Sequence, residues 1–400
     1  MFDQSTYREN ISWGILDCLK KRDLQGHLTA PLIFGILGGL GIGYSFCDRK
    51  TEETVLKIGF RNGWNQKSAF IDKAAERLGV EADILATSSR GKAEAWLDDA
   101  LQRGPCLVWI DSYYVNYLKV RQICAGCYPR VVEIQERQGD EYLLNDSGFF
   151  FTLNREQLGD ARMAIRNLKN RIWILDTRTR VDLGRTIRIG LEDCVQNMGS
   201  TSRNYAIPTL KKWSKQLTDE KSENGWVTIF SGKEKRYLLD CLIQCFLNIN
   251  ILSDGGGYRY IYGKFLQEAA EILREPDLAR LGSDYLRLGG LWRDFSYSAL
   301  SDQFAPLAGL RALLIDRITE ISKQGSQVSS PVDFNQKAKL MMTEATKELE
   351  QRDIRPLFAE MSENMYVIFE REKEAMNRLE ELIGGSCHGM EASACRNPLS

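Results

Sequence analysis

The first apolar pattern along the chain has the period of an amphipathic helix. Thr6-x-x-Glu9 is a capping-box motif, and the residues that follow it are predicted to be helical to about Lys21. Spacings of three and four residues place several apolar side chains on one side of that helix: Ile11, Ile15, Cys18 and Leu19. The pattern therefore predicts an N-terminal helix that packs against a core.

The segments up to about residue 180 mix helical and alternating patterns. Helices are predicted at 65–78, at 92–102, and around Leu158, Ala161 and Ile165, where Thr152 or Asn154 can form the cap. Strands are predicted where apolar runs or strict alternation occur: 54–60, 106–111, 130–136, 141–145 and 149–153. A turn at 138–140 is expected to join the third and fourth of these strands in a hairpin.

Beyond about residue 180 the pattern is almost wholly helical. The predicted helical segments are 186–197, 207–217, 233–248, 261–273, 279–319 with breaks, 335–349 and 354–382. The fold class is therefore predicted to be α+β, with an α+β N-terminal domain and a mostly helical C-terminal domain. The predicted divisions are 1–180, 181–324, a linker at 325–334, C-terminal helices at 335–385 and a tail at 386–400.

An apolar stretch at 30–46 (APLIFGILGGLGIGYSF) could be mistaken for a membrane span. It is shorter than the roughly 20 residues that a spanning helix needs. It also contains five glycines, which favour loops and close backbone packing over a stable helix. We expect a buried glycine-rich turn in this stretch and no contact with a membrane.

Composition and charge narrow the function classes. The chain has 53 basic and 54 acidic residues, so the net charge of -1 gives no broad attraction to nucleic acid or to an anionic membrane. Ten cysteines are scattered through apolar segments, and Cys241 and Cys245 stand at a core spacing of i and i+4. Because the first nine residues are polar, no secretory signal is indicated, and we predict reduced thiols and a cytoplasmic location.

Four sequence blocks resemble a known family in their order and spacing. They are 34–44 (FGILGGLGIGY), 104–111 (GPCLVWID), 145–147 (NDS) and 255–269 (GGGYRYIYGKFLQEA). The first three resemble the domain that begins butirosin biosynthesis protein H, an acyltransferase with a papain-like fold related to cysteine peptidases that cut after double glycines. The fourth is similar to the helical domain that usually follows it. The resemblance implies a papain-like, cysteine-peptidase-like N-terminal domain.

The chain departs from that family at the residues of the reaction. The resemblance places the family's nucleophilic cysteine, at the start of a helix, on Asn10, and its neighbour on Glu9. The family's histidine base is expected at the strand after Asp111, where the sequence 126–130 (GCYPR) has none. Asp146 corresponds to the acid that orients the histidine. An orienting acid without base or nucleophile does not transfer acyl groups by the family's route.

Three hypotheses follow, and the sequence does not decide whether catalysis persists. The first is a non-catalytic relative that binds a carrier-linked acyl group or a peptide in the old cleft during natural-product or ribosomal-peptide biosynthesis. The second is an active enzyme with another mechanism, using Glu9, Tyr128 and Asp146 as acid and base. For either, the predicted substrate-binding residues are Asn10, Ser12, Gly38, Gly39, Asp111, Tyr258 and Arg259. Expected partners are an acyl carrier protein or peptide and other biosynthetic enzymes, and a homodimer is one option.

The third hypothesis concerns the C-terminal tail. Gly384-Gly385 follows a charged helical segment, and 386–400 (SCHGMEASACRNPLS) has a different composition. This arrangement resembles a peptide leader and its core, so the tail could itself be a substrate. The alternative is that the two glycines stop the helix and a disordered tail follows.

Two further motifs have ordinary structural explanations. Cys124-Ala-Gly-Cys127 is a lone CxxC, whereas a zinc site needs about four ligands, so we expect no metal and no cofactor. Asp254-Gly-Gly-Gly257 lacks the lysine and hydroxyl residue of a phosphate-binding loop. It is expected to be a turn that packs Tyr258, Arg259 and Tyr262 on the neighbouring domain, or else a wall of the substrate cleft in which Arg259 contacts an anion.

Overall fold

The structure is a computed structural model of the 400-residue chain, and it describes residues 9–24, 26–46, 54–64, 68–114, 129–324 and 331–394. The helices are α1 Asn10–Lys21, α2 Ala30–Ile36, α3 Ala69–Asp72, α4 Ala74–Leu78, α5 Arg90–Arg103, α6 Arg155–Met163, α7 Leu183–Met198, α8 Pro208–Thr218, α9 Trp226–Ile229, α10 Leu238–Asn250, α11 Arg259–Leu273, α12 Pro276–Ala299, α13 Ala305–Gln324, α14 Pro331–Gln351 and α15 Arg355–Ala394. The strands are β1 Leu40–Phe46, β2 Leu56–Arg61, β3 Val80–Leu85, β4 Cys106–Asp111, β5 Pro129–Gln138, β6 Glu141–Asp146, β7 Phe149–Asn154 and β8 Ile172–Arg178.

These elements form two compact units. The first comprises residues 1–33, 66–181 and 314–335, and the second comprises 34–65, 182–313 and 336–400. The predicted α+β class with a helical C-terminal part is confirmed. No described helix is long and apolar enough to cross a membrane.

The first unit is built on an antiparallel sheet with the strand order β3-β8-β4-β5-β6-β7. One face carries a hydrophobic cluster in which Leu97 and Ala100 of α5 and Leu158 and Ala161 of α6 meet alternate strand residues. The other face is covered by α1, where Gly14 lies against Leu107. Successive side chains of a strand point to opposite faces, so β4, β5 and β6 each contribute to both layers.

All four strands predicted within this unit are present, as β4, β5, β6 and β7. The hairpin of β5 and β6 pairs Glu133 with Asn145, and Asn154 caps α6 in a capping box with Gln157. Strands β3 and β8 were not predicted. Strand β3 shows no clean alternation in its burial, and β8 is a short apolar run whose period alone does not separate strand from helix.

The glycine-rich stretch differs from the expected single turn. It forms helix α2, a turn at Gly38 and Gly39, and then strand β1. Both turn glycines have positive φ values, 107° and 57°, which are open to glycine at little cost. The prediction of a buried turn is confirmed at Gly38 and Gly39, but Gly41 lies in strand β1, at the irregularity between the Leu40–Arg61 and Gly43–Gly59 pairs.

The second unit has an aromatic core. Trp213, Trp226 and Trp292 are fully buried, and the Trp226 indole donates a hydrogen bond to the Tyr44 hydroxyl at 2.7 Å. Helices α11 and α12 approach closely where Gly263 and Gly282 face each other, since a β-carbon on either would lie 2.7 Å from the other's carbonyl oxygen. Helix α15 packs on α8 and α12.

Two helices of the C-terminal region have bounds that differ from the predicted ones. Helix α15 does not stop at Gly384-Gly385 but continues to Ala394. A glycine costs about 1 kcal/mol in a helix interior, which weakens a helix without ending it when no competing turn forms. Helix α14 begins at Pro331, inside the segment predicted as a linker, because proline is well suited to the first helical turn.

Candidate functional site

The start of α1 is the position that the sequence assigned to the family's nucleophile. Asn10 is the first residue of the helix, as predicted, and Glu9 is its N-cap. The buried Glu9 carboxylate accepts hydrogen bonds from the backbone N–H groups of Ile11, at 3.2 Å, and Ser12, at 2.6 Å. The Thr6 of the predicted capping box lies outside the described residues.

The Glu9 cap determines whether the amides at this helix end are available to a thiolate or an oxyanion. In a cysteine acyltransferase, free amides and the helix dipole at such an end stabilise a thiolate or an oxyanion. Here a carboxylate of the chain already accepts from two of those amides. The Asn10 side chain donates to the Val131 carbonyl of β5 at 3.0 Å and is only 7% exposed. Glu9 therefore caps the helix, and Asn10 fastens it to the sheet.

We expect Glu9→Ala to lower the free energy of unfolding of the first unit by about 0.5–2 kcal/mol, the usual effect of losing an N-cap. The measurement is urea unfolding followed by circular dichroism. Glu94→Ala is the matched control, because its side chain makes a solvent-accessible i,i+4 ion pair with Arg90. An equal effect in the two variants would contradict a capping role.

A polar cluster lies under α1, and sequence reasoning missed it. Glu133 of β5 is fully buried and accepts hydrogen bonds from Asn145 of β6 at 2.9 Å and from Gln135 at 3.1 Å. Lys21 of α1 forms an ion pair with it at 3.1 Å, and Asn145 also donates to Asp17 of α1 at 3.3 Å. The sequence did contain one signal for this cluster: strand alternation places the charged residue Glu133 on a buried face of the sheet.

Asp146 does not face this cluster. It follows Asn145, whose side chain points to α1, so strand alternation directs Asp146 to the face covered by α5 and α6. Its carboxylate forms a buried ion pair with Arg130, which is two residues from the cluster residue Val132 in β5 and so lies on the same face of the sheet. Asn10, on the side of α1, and Asp146 therefore lie on opposite faces of the sheet, although both lie on or beside the neighbouring strands β5 and β6.

Cys18 is the cysteine of α1, and its thiol is 3.8 Å from a Glu133 carboxylate oxygen. Burial first, and then the charge of Glu133, raises the pKa of this thiol well above its ordinary value. A protonated thiol is a poor nucleophile. This agrees with the prediction that Cys18 is a buried structural residue of the helix.

The other predicted site residues of the first unit are partly described. Ser12 and Asp111 are fully buried, and the Asp111 carboxylate accepts from the Tyr113 amide at 3.0 Å. Tyr128 and the CxxC cysteines Cys124 and Cys127 lie outside the described residues.

The remaining predicted residues, Gly38, Gly39, Tyr258 and Arg259, belong to the second unit. A β-carbon at Gly39 would lie 2.5 Å from the Tyr262 ring, so the turn is packed on α11. The Tyr258 hydroxyl donates to the Leu252 carbonyl at 2.7 Å. These residues are buried, with Tyr258 only 7% exposed, and they make structural contacts within their own unit.

Arg259 does contact an anion, and that anion is part of the chain. Its Nε donates to the Glu372 carboxylate of α15 at 2.6 Å, and both side chains are fully buried. The guanidinium lies over the rings of Phe60 and Trp292, and the Trp292 indole also donates to Glu372 at 2.8 Å. The sequence indicated an anion contact at Arg259, but the acidic partner is 113 residues away and could not be identified from a local pattern.

The loop before α11 is closed by Asp254. Its carboxylate accepts from the backbone N–H groups of Tyr258, at 3.0 Å, and Ile261, at 2.8 Å. Burial raises the pKa of Asp254 to about 7, against the stabilisation of its charge by these amides. The glycine-rich motif is thus a capped turn that begins a helix.

Because the folded-state pKa of Asp254 is raised, the folded state binds this proton more tightly than the unfolded chain. The stability that Asp254 contributes should be greatest below about pH 4 and should fall as the pH rises to about 7, by up to about 1.4 kcal/mol per pH unit. We expect Asp254→Asn to remove this slope. Urea midpoints of both proteins at intervals from pH 4 to pH 8 test it. A difference between the two proteins that does not change with pH would contradict the raised pKa.

Comparison with known proteins found two family models that match successive parts of the chain. The family model described as "Butirosin biosynthesis protein H, N-terminal" matches residues 12–147. The model described as "Domain of unknown function (DUF4872)" matches residues 156–305. Comparison with curated proteins found no match.

Proposed function

We propose, from the premise that the chain belongs to the butirosin biosynthesis protein H family, that it is a non-catalytic member that binds a carrier-linked acyl group or a peptide. The family relation makes the chain an acyltransferase-related biosynthetic protein with a papain-like fold. Beyond the family relation, the proposal is that this member retains a binding role and does not catalyse acyl transfer.

One observation carries the proposal. The N-terminal amides of α1, which an acyltransferase would keep for its thiolate and oxyanion, donate hydrogen bonds to the Glu9 carboxylate instead. The residue at the expected nucleophile position is an amide that binds the Val131 carbonyl. An acyl-enzyme needs an activated nucleophile and a base, and this helix end supplies neither.

The alternative of a mechanism without cysteine has less support. Two of its three proposed residues are engaged elsewhere, Glu9 as a helix cap and Asp146 in an ion pair with Arg130. They also lie on different sides of the sheet, since Asp146 points away from α1. No contact of the described residues favours general acid–base chemistry at this helix end.

The experiment is to incubate the protein with an acyl thioester of N-acetylcysteamine and to record intact mass and thioester loss. We expect no stoichiometric adduct and no hydrolysis above background. In parallel, binding of a fluorescent acyl carrier protein, in acylated and unacylated forms, is measured by anisotropy. We expect the acylated carrier to bind more tightly.

Variants make the result decisive. Cys18→Ala should behave like the unaltered protein, since its thiol is protonated and buried. Asn10→Cys places a thiol at the helix start and shows whether the remaining surroundings activate it. A rapid adduct on one cysteine of the unaltered protein would overturn the loss of catalysis. Equal binding of both carrier forms, together with no binding of peptides, would overturn the binding role.

A further inference from the structure

The core of the second unit contains a polar centre around the ion pair of Arg259 and Glu372. Three helices contribute: Arg259 and Tyr262 come from α11, Tyr285 and Trp292 from α12, and Glu372 from α15. The rings of Tyr262 and Tyr285 meet edge to face, with centroids 4.9 Å apart. Arg259 and Tyr262 are three residues apart on α11 and therefore lie on the same side of that helix.

Four polar atoms of this centre are buried and have no hydrogen-bond partner among the described residues. They are Arg259 Nη2, Glu372 Oε2, the Tyr262 hydroxyl and the Tyr285 hydroxyl. Each of the four residues is 0% exposed. The Cys194 thiol interacts with the Tyr262 hydroxyl, but sulfur is a weak partner.

Such a concentration of unsatisfied atoms is unusual at one place in a core. A buried polar group without a partner costs about 1–3 kcal/mol, and native proteins rarely leave one without a protein or water partner. A small rotation that paired Arg259 Nη2 with Glu372 Oε2 would satisfy two of the atoms. Both tyrosine hydroxyls would still need a partner, so rearrangement of the ion pair alone does not resolve the centre.

We infer that Arg259, Glu372, Tyr262 and Tyr285 together bind a small polar guest, namely ordered water, in the core of the second unit. The guest must accept a hydrogen bond from Arg259 Nη2 and donate one to Glu372 Oε2, and the hydroxyls can do either. Water meets both demands, and buried waters typically make about three such bonds. The water joins α11, α12 and α15, so α15 is held by a hydrated ion pair as well as by apolar packing.

The direct test is a crystal structure of the full chain at a resolution that shows ordered water. The expected result is density for at least one water within hydrogen-bond distance of three of the four atoms. Direct bonds among the four groups, with no density between them, would overturn the inference.

Variants give an independent test through the sign of a stability change. If the Tyr285 hydroxyl binds water, Tyr285→Phe should lower the Tm by a few degrees, and Tyr262→Phe should do the same. Tyr44→Phe is the matched control, because that buried hydroxyl accepts from the Trp226 indole at 2.7 Å. An unchanged or higher Tm for Tyr285→Phe would overturn the inference, since removing a truly unpaired hydroxyl relieves its desolvation cost.

Discussion

Replacing Glu372 by alanine is expected to lower the free energy of unfolding by about 3–5 kcal/mol. The change leaves the guanidinium of Arg259 fully buried without its carboxylate, and it also removes the acceptor of the Trp292 indole. Breaking one partner of a buried pair costs more than the pair contributes, because an uncompensated charge stays in a medium of low polarity. Urea unfolding at neutral pH, followed by tryptophan fluorescence, measures the effect.

A control lies two residues further along the same helix. Glu374 pairs with Arg371 at 2.9 Å, but both side chains are more than half exposed, so Glu374→Ala should change stability by less than about 1 kcal/mol. The double variant Arg259→Met, Glu372→Met should recover part of the loss, since apolar residues of similar size often replace a buried pair. A double variant as unstable as Glu372→Ala would show that the lost charge pairing is not the cause.

The second large effect is expected at the turn before β1. Gly39→Val should lower the free energy of unfolding by about 3 kcal/mol, from overpacking and a strained backbone together. A β-carbon there would lie 2.5 Å from a ring carbon of Tyr262, and a β-branched residue is poorly suited to the φ of 57°. Thermal and urea unfolding measure the change.

Gly139→Val separates the two causes. Gly139 has a φ of 63°, close to that of Gly39, but nothing lies within 4 Å of the place that its β-carbon would take. This variant should therefore lose only the backbone part. If Gly39→Val were no worse than Gly139→Val, the packing of Tyr262 against the turn would not be the constraint on that glycine.

The residues of the candidate site also show a difference between local effects and effects of tertiary packing. A helix in this segment was predictable, because helical period is a local property of the sequence, and the family resemblance placed a helix start at Asn10. The use of that helix end was not, since it depends on which acceptor the Asn10 side chain meets, and that acceptor is the carbonyl of Val131 in a distant strand. Likewise, an acid at Asp146 could be read from the chain, but the direction of its carboxylate follows from the layer that each sheet face packs against.

The sequence by itself determined the elements whose signals lie within a few neighbouring residues. These include α1, the hairpin of β5 and β6, the capping of α6, and the long helices of the second unit. The tertiary structure decided the pairing of β8 between β3 and β4, the assignment of the glycine-rich turn to the second unit, and Glu372 as the partner of Arg259. Helical and strand periods fix which residues share a face, but they do not fix what that face will contact. That choice is made by the burial of apolar surface and the pairing of buried charge between segments far apart in the chain.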